Sequence, residues 1–229
     1  MKTIGIIGGL GPPSTVKYYE WLNQGINQRL GGAHTARIIL TSVDGADVVA
    51  LRQKQDPVAE GEFYAAEARK LERAGADLIL IASNTSHKNA PAVEAAVGIP
   101  LLHLADATAR AIRRQGARRV ALLGTQLTME ADFYRSRLMG ADLEVIIPVE
   151  ADRRWISETI YSELVKGVVR PEVSERFRKI IGELAQQKID GVILGCTELT
   201  LLDLNEVKPP LFDTTRIHVE AAIEYALGE

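Results

Sequence analysis

Two tripeptides carry the side chains best suited to chemistry in this chain, Ser83-Asn84-Thr85 and Cys196-Thr197-Glu198. Each follows a short apolar run, residues 77–82 in one case and 191–194 in the other. A cysteine at the end of a buried strand can act as a thiolate base or nucleophile, activated by backbone amides at the start of a following helix. The alternative is an inert buried thiol, a common fate of free cysteine. Asn84 and Thr85 offer an amide and a hydroxyl to a carboxylate, and backbone amides there can form an oxyanion pocket. The alternative for that triplet is a polar helix cap with no ligand.

A third candidate is the glycine cluster Gly8-Gly9-Leu10-Gly11, which follows an apolar run and precedes a helical pattern. It is not a dinucleotide fingerprint, because Gly9 and Gly11 would need a glycine where Ser14 stands, and it lacks the lysine of a P-loop. Two readings stay open. One is a close backbone approach to a small anion, and the other a tight turn with Ser14 or Thr15 capping the helix. His34, His87, His103 and His218 show no metal-ligand spacing. His87 lies one helical turn beyond Ser83, where capping a turn is the plainer role.

These motifs need elements to hold them. Apolar runs at residues 3–7, 37–41, 77–82, 100–104, 119–123, 143–147 and 191–194 suit strands buried on both faces. Between them lie helical patterns. Val16, Tyr19, Leu22, Ile26 and Leu30 mark one face; Ile156, Ile160 and Leu164 mark a second; Phe177, Ile180, Ile181 and Leu184 mark a third. Alternation of helix with buried strand predicts a parallel α/β fold. The pattern occurs twice. Ser83 lies 75 residues beyond the strand-ending Gly8, and Cys196 lies 72 beyond Gly124. Two related Rossmann-like halves are expected, residues 1–115 and 116–229, with the C-terminal helix packing on the first. Open α/β sheets bind ligands beyond the carboxyl ends of their strands, so Ser83 and Cys196 are expected on opposing walls of an interdomain cleft.

Composition narrows the function classes. The 229 residues carry a net charge of −3, with 46% hydrophobic and 25% charged residues, as in an ordinary globular protein. There is no basic block to favour nucleic acid. Cys196 is the sole cysteine, which forbids an internal disulfide and suits a reducing compartment. No apolar stretch approaches the ~18 residues of a membrane span, and the N-terminal run leads into glycines without a signal-cleavage pattern. A cytoplasmic location is expected.

Together, Ile4-Gly5-Ile6-Ile7-Gly8-Gly9-Leu10-Gly11-Pro12, Ala82-Ser83-Asn84-Thr85-Ser86-His87 and Leu194-Gly195-Cys196-Thr197-Glu198-Leu199 strongly resemble the aspartate/glutamate racemase family, and its aspartate racemase branch in particular. Gly124-Thr125-Gln126-Leu127-Thr128-Met129, Ile160-Tyr161-Ser162-Glu163-Leu164 and Phe212-Asp213-Thr214-Thr215 fit its further landmarks, so the resemblance spans essentially the whole chain. It implies two pseudosymmetric α/β domains, a homodimer, and an active-site cleft that uses neither cofactor nor metal. It also implies two cysteines flanking the α-carbon of a small dicarboxylic amino acid. One takes the α-proton as thiolate, and the other returns a proton to the opposite face. Cys196 matches the second cysteine, and Ser83 stands at the position of the first.

That departure matters, because a serine hydroxyl is a poor base at neutral pH yet can still donate a proton. Members with a hydroxyl residue here are taken to deprotonate one enantiomer preferentially. The same resemblance nominates Gly11, Asn84, Thr85, Thr125, Thr197 and Glu198 around the substrate, with Arg52 and Lys166 as cations for its side-chain carboxylate. Two other readings fit a single-cysteine site. One is an arylmalonate decarboxylase-like or maleate isomerase-like enzyme, and the other a catalytically silent amino-acid-binding protein.

Overall fold

A computed structural model describes residues 1–205 and 207–229. In its first half, β1 (Ile4–Gly8) is the middle strand of a parallel sheet ordered β2-β1-β3, with β2 at Ile38–Ser42 and β3 at Leu78–Ile81. Every residue of β1 and β3 is buried, whereas the edge strand β2 is only partly so. This is the burial that continuous apolar runs predict for a sheet covered on both faces. On one face lies α1 (Pro12–Leu30); on the other lies α3 (Pro57–Arg73), preceded by α2 (Gly45–Gln53). Tyr64, Ala68 and Leu71 of α3 pack with Ile7, Ile79 and Ile81.

Two expectations are corrected in this half. Residues 100–104 do not form a strand: Leu101 makes one parallel bridge to Ile79, and Leu104 already opens a helix. Pro100 has no N–H to extend the ladder. The buried face of α1 is Thr15, Tyr18, Leu22 and Ile26, while Val16 and Tyr19 are 54% and 57% exposed. Both stripes have helical spacing. The choice is made by the helix start, where the Thr15 hydroxyl accepts from Gly9 N at 2.9 Å and donates to Gly11 O at 3.3 Å, turning that side of the helix inward.

The second half repeats the plan with β4 (Arg119–Gly124), β5 (Glu144–Ile146), β6 (Gly191–Gly195) and β7 (Leu211–Asp213), all parallel in the order β5-β4-β6-β7. The repeat extends to a specific device. The Asp77 carboxylate before β3 accepts from Thr3 N at 2.6 Å, and that of Asp190 before β6 accepts from Arg118 N and Arg119 N at 2.8 Å each. Each aspartate thus fastens the entry of one central strand to that of its neighbour. Hydrogen bonds from the Arg119 and Arg118 amides hold the Asp190 carboxyl below its ordinary range. The three-residue β7 was not expected from hydropathy.

Two compact units result, one of Met1–Leu104 with His218–Glu229, the other of Ala105–Ile217. The division falls after Leu104 rather than at residue 115. Almost all of α4's successor, α5 (Leu104–Arg114), belongs to the second unit, α4 itself being Ala90–Ala96. Side chains explain this. Arg137 on α7 (Asp132–Gly140) pairs with Asp106 at 2.7 Å, and Arg113 donates to Ala141 O at 2.8 Å. The remaining helices of the second unit are α6 (Gln126–Glu130), α8 (Glu150–Ser162) and α9 (Pro171–Ala185). Conversely, most of α10 (Thr214–Leu227) joins the first unit, where Val219, Ala222, Ile223 and Ala226 share a core with Ile4, Ile6, Tyr18 and Leu22. No helix among the described residues is long and apolar enough to cross a membrane.

Candidate active site

In the first unit the turn after β1 lies beside the end of β3, because Ile7 pairs with Ile81 and Ala82 N donates to Ile7 O at 3.0 Å. Gly9 has φ +82, and a Cβ there would sit 2.2 Å from Val43 O, so only glycine fits the turn. Gly11 is the extended N-cap of α1. Ser83 leaves β3, followed by buried Asn84 and Thr85 as the chain enters a 3₁₀ turn at Thr85–Asn89.

His87 holds this turn. Leu104 N–H can only donate, so His87 Nε2 accepts it at 3.2 Å, and Nδ1 carries the proton donated to Ser83 O at 2.7 Å. The plain, turn-holding role expected for His87 matches this geometry. Beside it, His218 accepts from Tyr18 at Nδ1 and donates to Leu102 O from Nε2, each at 2.7 Å, so its tautomer is also set.

Behind Ser83 lies a polar network that sequence reasoning missed apart from Arg52. Ser86 Oγ donates to Ser83 Oγ at 3.0 Å and accepts from Tyr64 at 2.9 Å and from Arg52 Nη2 at 3.0 Å. Arg52 Nε also pairs with Glu60 at 3.2 Å, and Lys88 reaches the other oxygen of Glu60 at 2.6 Å. Asn89 donates to Glu60 at 3.2 Å. Burial pushes the Glu60 carboxyl up, but hydrogen bonds from Lys88 and Asn89, the Lys88 charge and the Arg52 hydrogen bond outweigh it and hold the group below its ordinary range. Burial raises the Tyr64 phenol, against the Ser86 hydrogen bond and the Arg52 charge, and keeps it protonated at neutral pH. One signal was available: Glu60 and Tyr64 lie four residues apart on the buried face of α3, an acid at a core position.

This network yields a stability prediction. Glu60→Gln leaves Arg52 and Lys88 facing a neutral amide. Because both cations are partly exposed, the expected cost is about 3 kcal/mol, the low end for breaking a buried pair. It would be read as a lower urea midpoint at neutral pH. A depressed carboxyl contributes stability above its unfolded pKa and loses it as pH falls through the folded value. The gap between wild type and variant should therefore close in acid. Equal midpoints at neutral pH would refute the assignment.

In the second unit, β4 and β6 end side by side with Gly124 opposite Gly195. A Cβ on Gly124 would lie 2.9 Å from Gly195 O, which explains small residues at both ends. Thr125 follows β4 as the buried N-cap of α6, its hydroxyl 3.0 Å from that of Thr128. Cys196 follows β6 and precedes a 3₁₀ turn at Thr197–Leu201. The thiol donates to Glu198 Oε2 at 2.9 Å, and the Thr197 hydroxyl donates to the same oxygen at 2.7 Å. Glu198, expected among the substrate ligands, therefore also stands as a proton acceptor for the thiol. Burial, then the charge and hydrogen bond of Glu198, raise the Cys196 pKa well above its ordinary value, and backbone amides of Glu198 and Thr197 oppose this only in part. Lys166 is exposed at the end of a 3₁₀ turn, Leu164–Lys166, that packs beside the Thr197–Leu201 turn.

The structure thus gathers Ser83, Asn84, Thr85 and Arg52 in one unit, and Thr125, Cys196, Thr197, Glu198 and the Lys166 turn in the other. Parallel α/β halves of this kind, each presenting a polar strand-end turn, belong to the class of fold that binds small ligands beyond the carboxyl ends of its strands. The model of the Asp/Glu/Hydantoin racemase family matches residues 7–222, and the chain belongs to that family.

Several known proteins are similar over their full length. A broad specificity amino-acid racemase of Bacillus subtilis, RacX, is 24% identical, covering 98% of each chain. A crystal structure from Yersinia pestis, provisionally assigned as an Asp/Glu racemase, is 44% identical with a TM-score of 0.94, covering 99% of this chain and 100% of that one. PH1733 of Pyrococcus horikoshii OT3, an aspartate racemase homologue, is 34% identical with a TM-score of 0.87 and the same coverage.

Proposed function

We propose that this chain is a cofactor-independent racemase of small dicarboxylic amino acids, with aspartate foremost and glutamate as a further substrate. Cys196 removes the α-proton, and Ser83 is assigned the return of a proton. The observation that carries this reading is the Cys196–Glu198 pair, a protonated thiol hydrogen-bonded to a carboxylate that can accept its proton. Once that proton has passed by way of Glu198 to solvent, the thiolate takes a proton from the α-carbon, so a C–H bond breaks and an S–H bond forms. Ser83 then gives its hydroxyl proton to the opposite face.

The negative charge that develops on the α-carboxylate needs preorganised donors. Asn84, Thr85, Thr125, Thr197 and the Gly11 turn are assigned to the α-carboxylate and amino group. Arg52 and Lys166 supply positive charge for the second carboxylate. The names of PH1733 and of RacX support amino-acid racemisation and, for the first, aspartate.

The test is proton NMR in deuterium oxide with L- and D-aspartate followed separately. Loss of the α-proton is expected from both, with exchange at retained configuration much faster for the enantiomer facing Cys196. Mirror-image substrates have an equilibrium constant of one, so both must still converge on the same mixture. Because the Cys196 pKa is raised, the thiolate fraction grows with pH, and the exchange rate should climb from neutral into the alkaline range. Absence of exchange in aspartate and glutamate across that range would overturn the reading. Carbon dioxide release from an arylmalonate would replace it with decarboxylation, and alanine exchanging as fast as aspartate would remove the preference for dicarboxylates.

A further inference from the structure

Ser86 has its hydrogen-bonding capacity fully committed, and this determines which way the Ser83 proton points. A hydroxyl has one donor and two acceptor sites. Arg52 Nη2 donates to Ser86 Oγ at 3.0 Å, and a guanidinium cannot accept in return. The Tyr64 hydroxyl donates to it at 2.9 Å. With both acceptor sites engaged, the one Ser86 proton goes to Ser83 Oγ at 3.0 Å, and Ser86 N–H approaches the same oxygen at 3.4 Å. Ser83 Oγ is thus an acceptor toward the protein interior, and its own proton is directed away from the network.

We infer that Ser86, held by Tyr64 and Arg52, is a positioning residue that aims the Ser83 hydroxyl proton toward the substrate and stabilises the oxygen that gives it up. This deepens the racemase reading and rests on it. An acid needs its departing proton aimed at the acceptor and donors ready for the oxygen left behind. When the Ser83 O–H bond breaks and the new C–H bond forms, the oxygen's negative charge meets the Ser86 O–H and N–H, with the Arg52 charge behind them. Water restores the Ser83 proton after product leaves. Glu60 holds Arg52 in place through its 3.2 Å ion pair, so the positive charge stays behind the serine. The device compensates in part for the missing thiol, because stabilising the oxygen lowers the barrier for proton transfer at Ser83 in both directions.

The readout is a partition ratio: mirror-image aspartate formed per α-proton exchanged, starting from the enantiomer that exchanges faster with retention. Exchange with retention needs only the Cys196 face, whereas inversion needs Ser83. Ser86→Ala should lower the ratio by about 10²-fold, the usual cost of losing one donor to a developing oxyanion. Retained exchange should stay near wild type. Tyr64→Phe should lower the ratio by about tenfold, since Arg52 still engages Ser86. Ser83→Ala sets the floor.

A purely structural role would depress both rates together and leave the ratio unchanged, and that outcome overturns the inference. So does wild-type protein that exchanges one enantiomer but never forms its mirror image. Tyr64→Phe decides the matter by the same criterion if Ser86→Ala fails to fold. Failure of the racemase reading itself looks different, because wild type would then show no α-proton exchange at all.

Discussion

Replacing Cys196 with alanine is expected to remove α-proton exchange from the enantiomer of aspartate that wild type exchanges faster, and with it the interconversion of the two. Thermal stability should change little, because the side chain is small and partly buried. A positioned general base contributes about 10²–10⁴-fold in rate, and here no other side chain is assigned to take the proton on that face. The thiol donates to Glu198 Oε2 at 2.9 Å. That carboxylate remains in Cys196→Ala, but a carboxylate is a far weaker base than a thiolate, so it is not expected to substitute. The measurement is exchange by proton NMR at alkaline pH, where wild type is fastest. Exchange within a few-fold of wild type would mean that Cys196 is not the base and would return it to the class of inert strand-end cysteines.

The second large effect runs in the opposite direction. Ser83→Cys should raise proton removal from the slower enantiomer by about 10²-fold and bring the exchange rates of the two enantiomers toward equality. A thiol ionises near pH 8.5, far more readily than a serine hydroxyl, so the side chain gains access to a basic form. The site already holds features that favour an anion there: Ser86 N–H and O–H face the side chain at 3.4 and 3.0 Å, and Arg52 stands behind Ser86. The exchange ratio of D- to L-aspartate, measured side by side with wild type, reports the effect. An unchanged ratio in a folded variant would show that the asymmetry does not originate at Ser83.

Much of this arrangement was legible before any coordinates. Strands at β1, β3, β4 and β6 are readable because a strand buried on both faces must be apolar throughout, and few other elements give four or five such residues between turn signals. The turn-forming Gly9 and the polar triplets after β3 and β6 follow from the same logic, since chemistry in this fold concentrates at carboxyl strand ends. Less was readable where two patterns compete. On α1, Val16–Tyr19 and Thr15–Tyr18 have identical spacing, and the hydrogen bonds of Thr15 to Gly9 and Gly11, with that of Tyr18 to His218, select the inward one. The three residues of β7 are too few for periodicity, and their pairing with β6 gives them a strand's geometry.

Residue types and their order along the chain thus determined the parallel α/β class, the duplicated plan, and the pairing of a serine turn with a cysteine turn. Those properties are written locally, in apolar runs and in the side chains that end them. Tertiary structure alone decided which groups stand behind Ser83. Glu60, Tyr64, Ser86, Lys88 and Asn89 come from α3 and a 3₁₀ turn that meet only in the folded chain, and Arg52 joins them from α2. Hydrogen-bond direction depends on the full set of neighbours at each oxygen. The direction of the Ser83 hydroxyl proton is therefore set only in three dimensions.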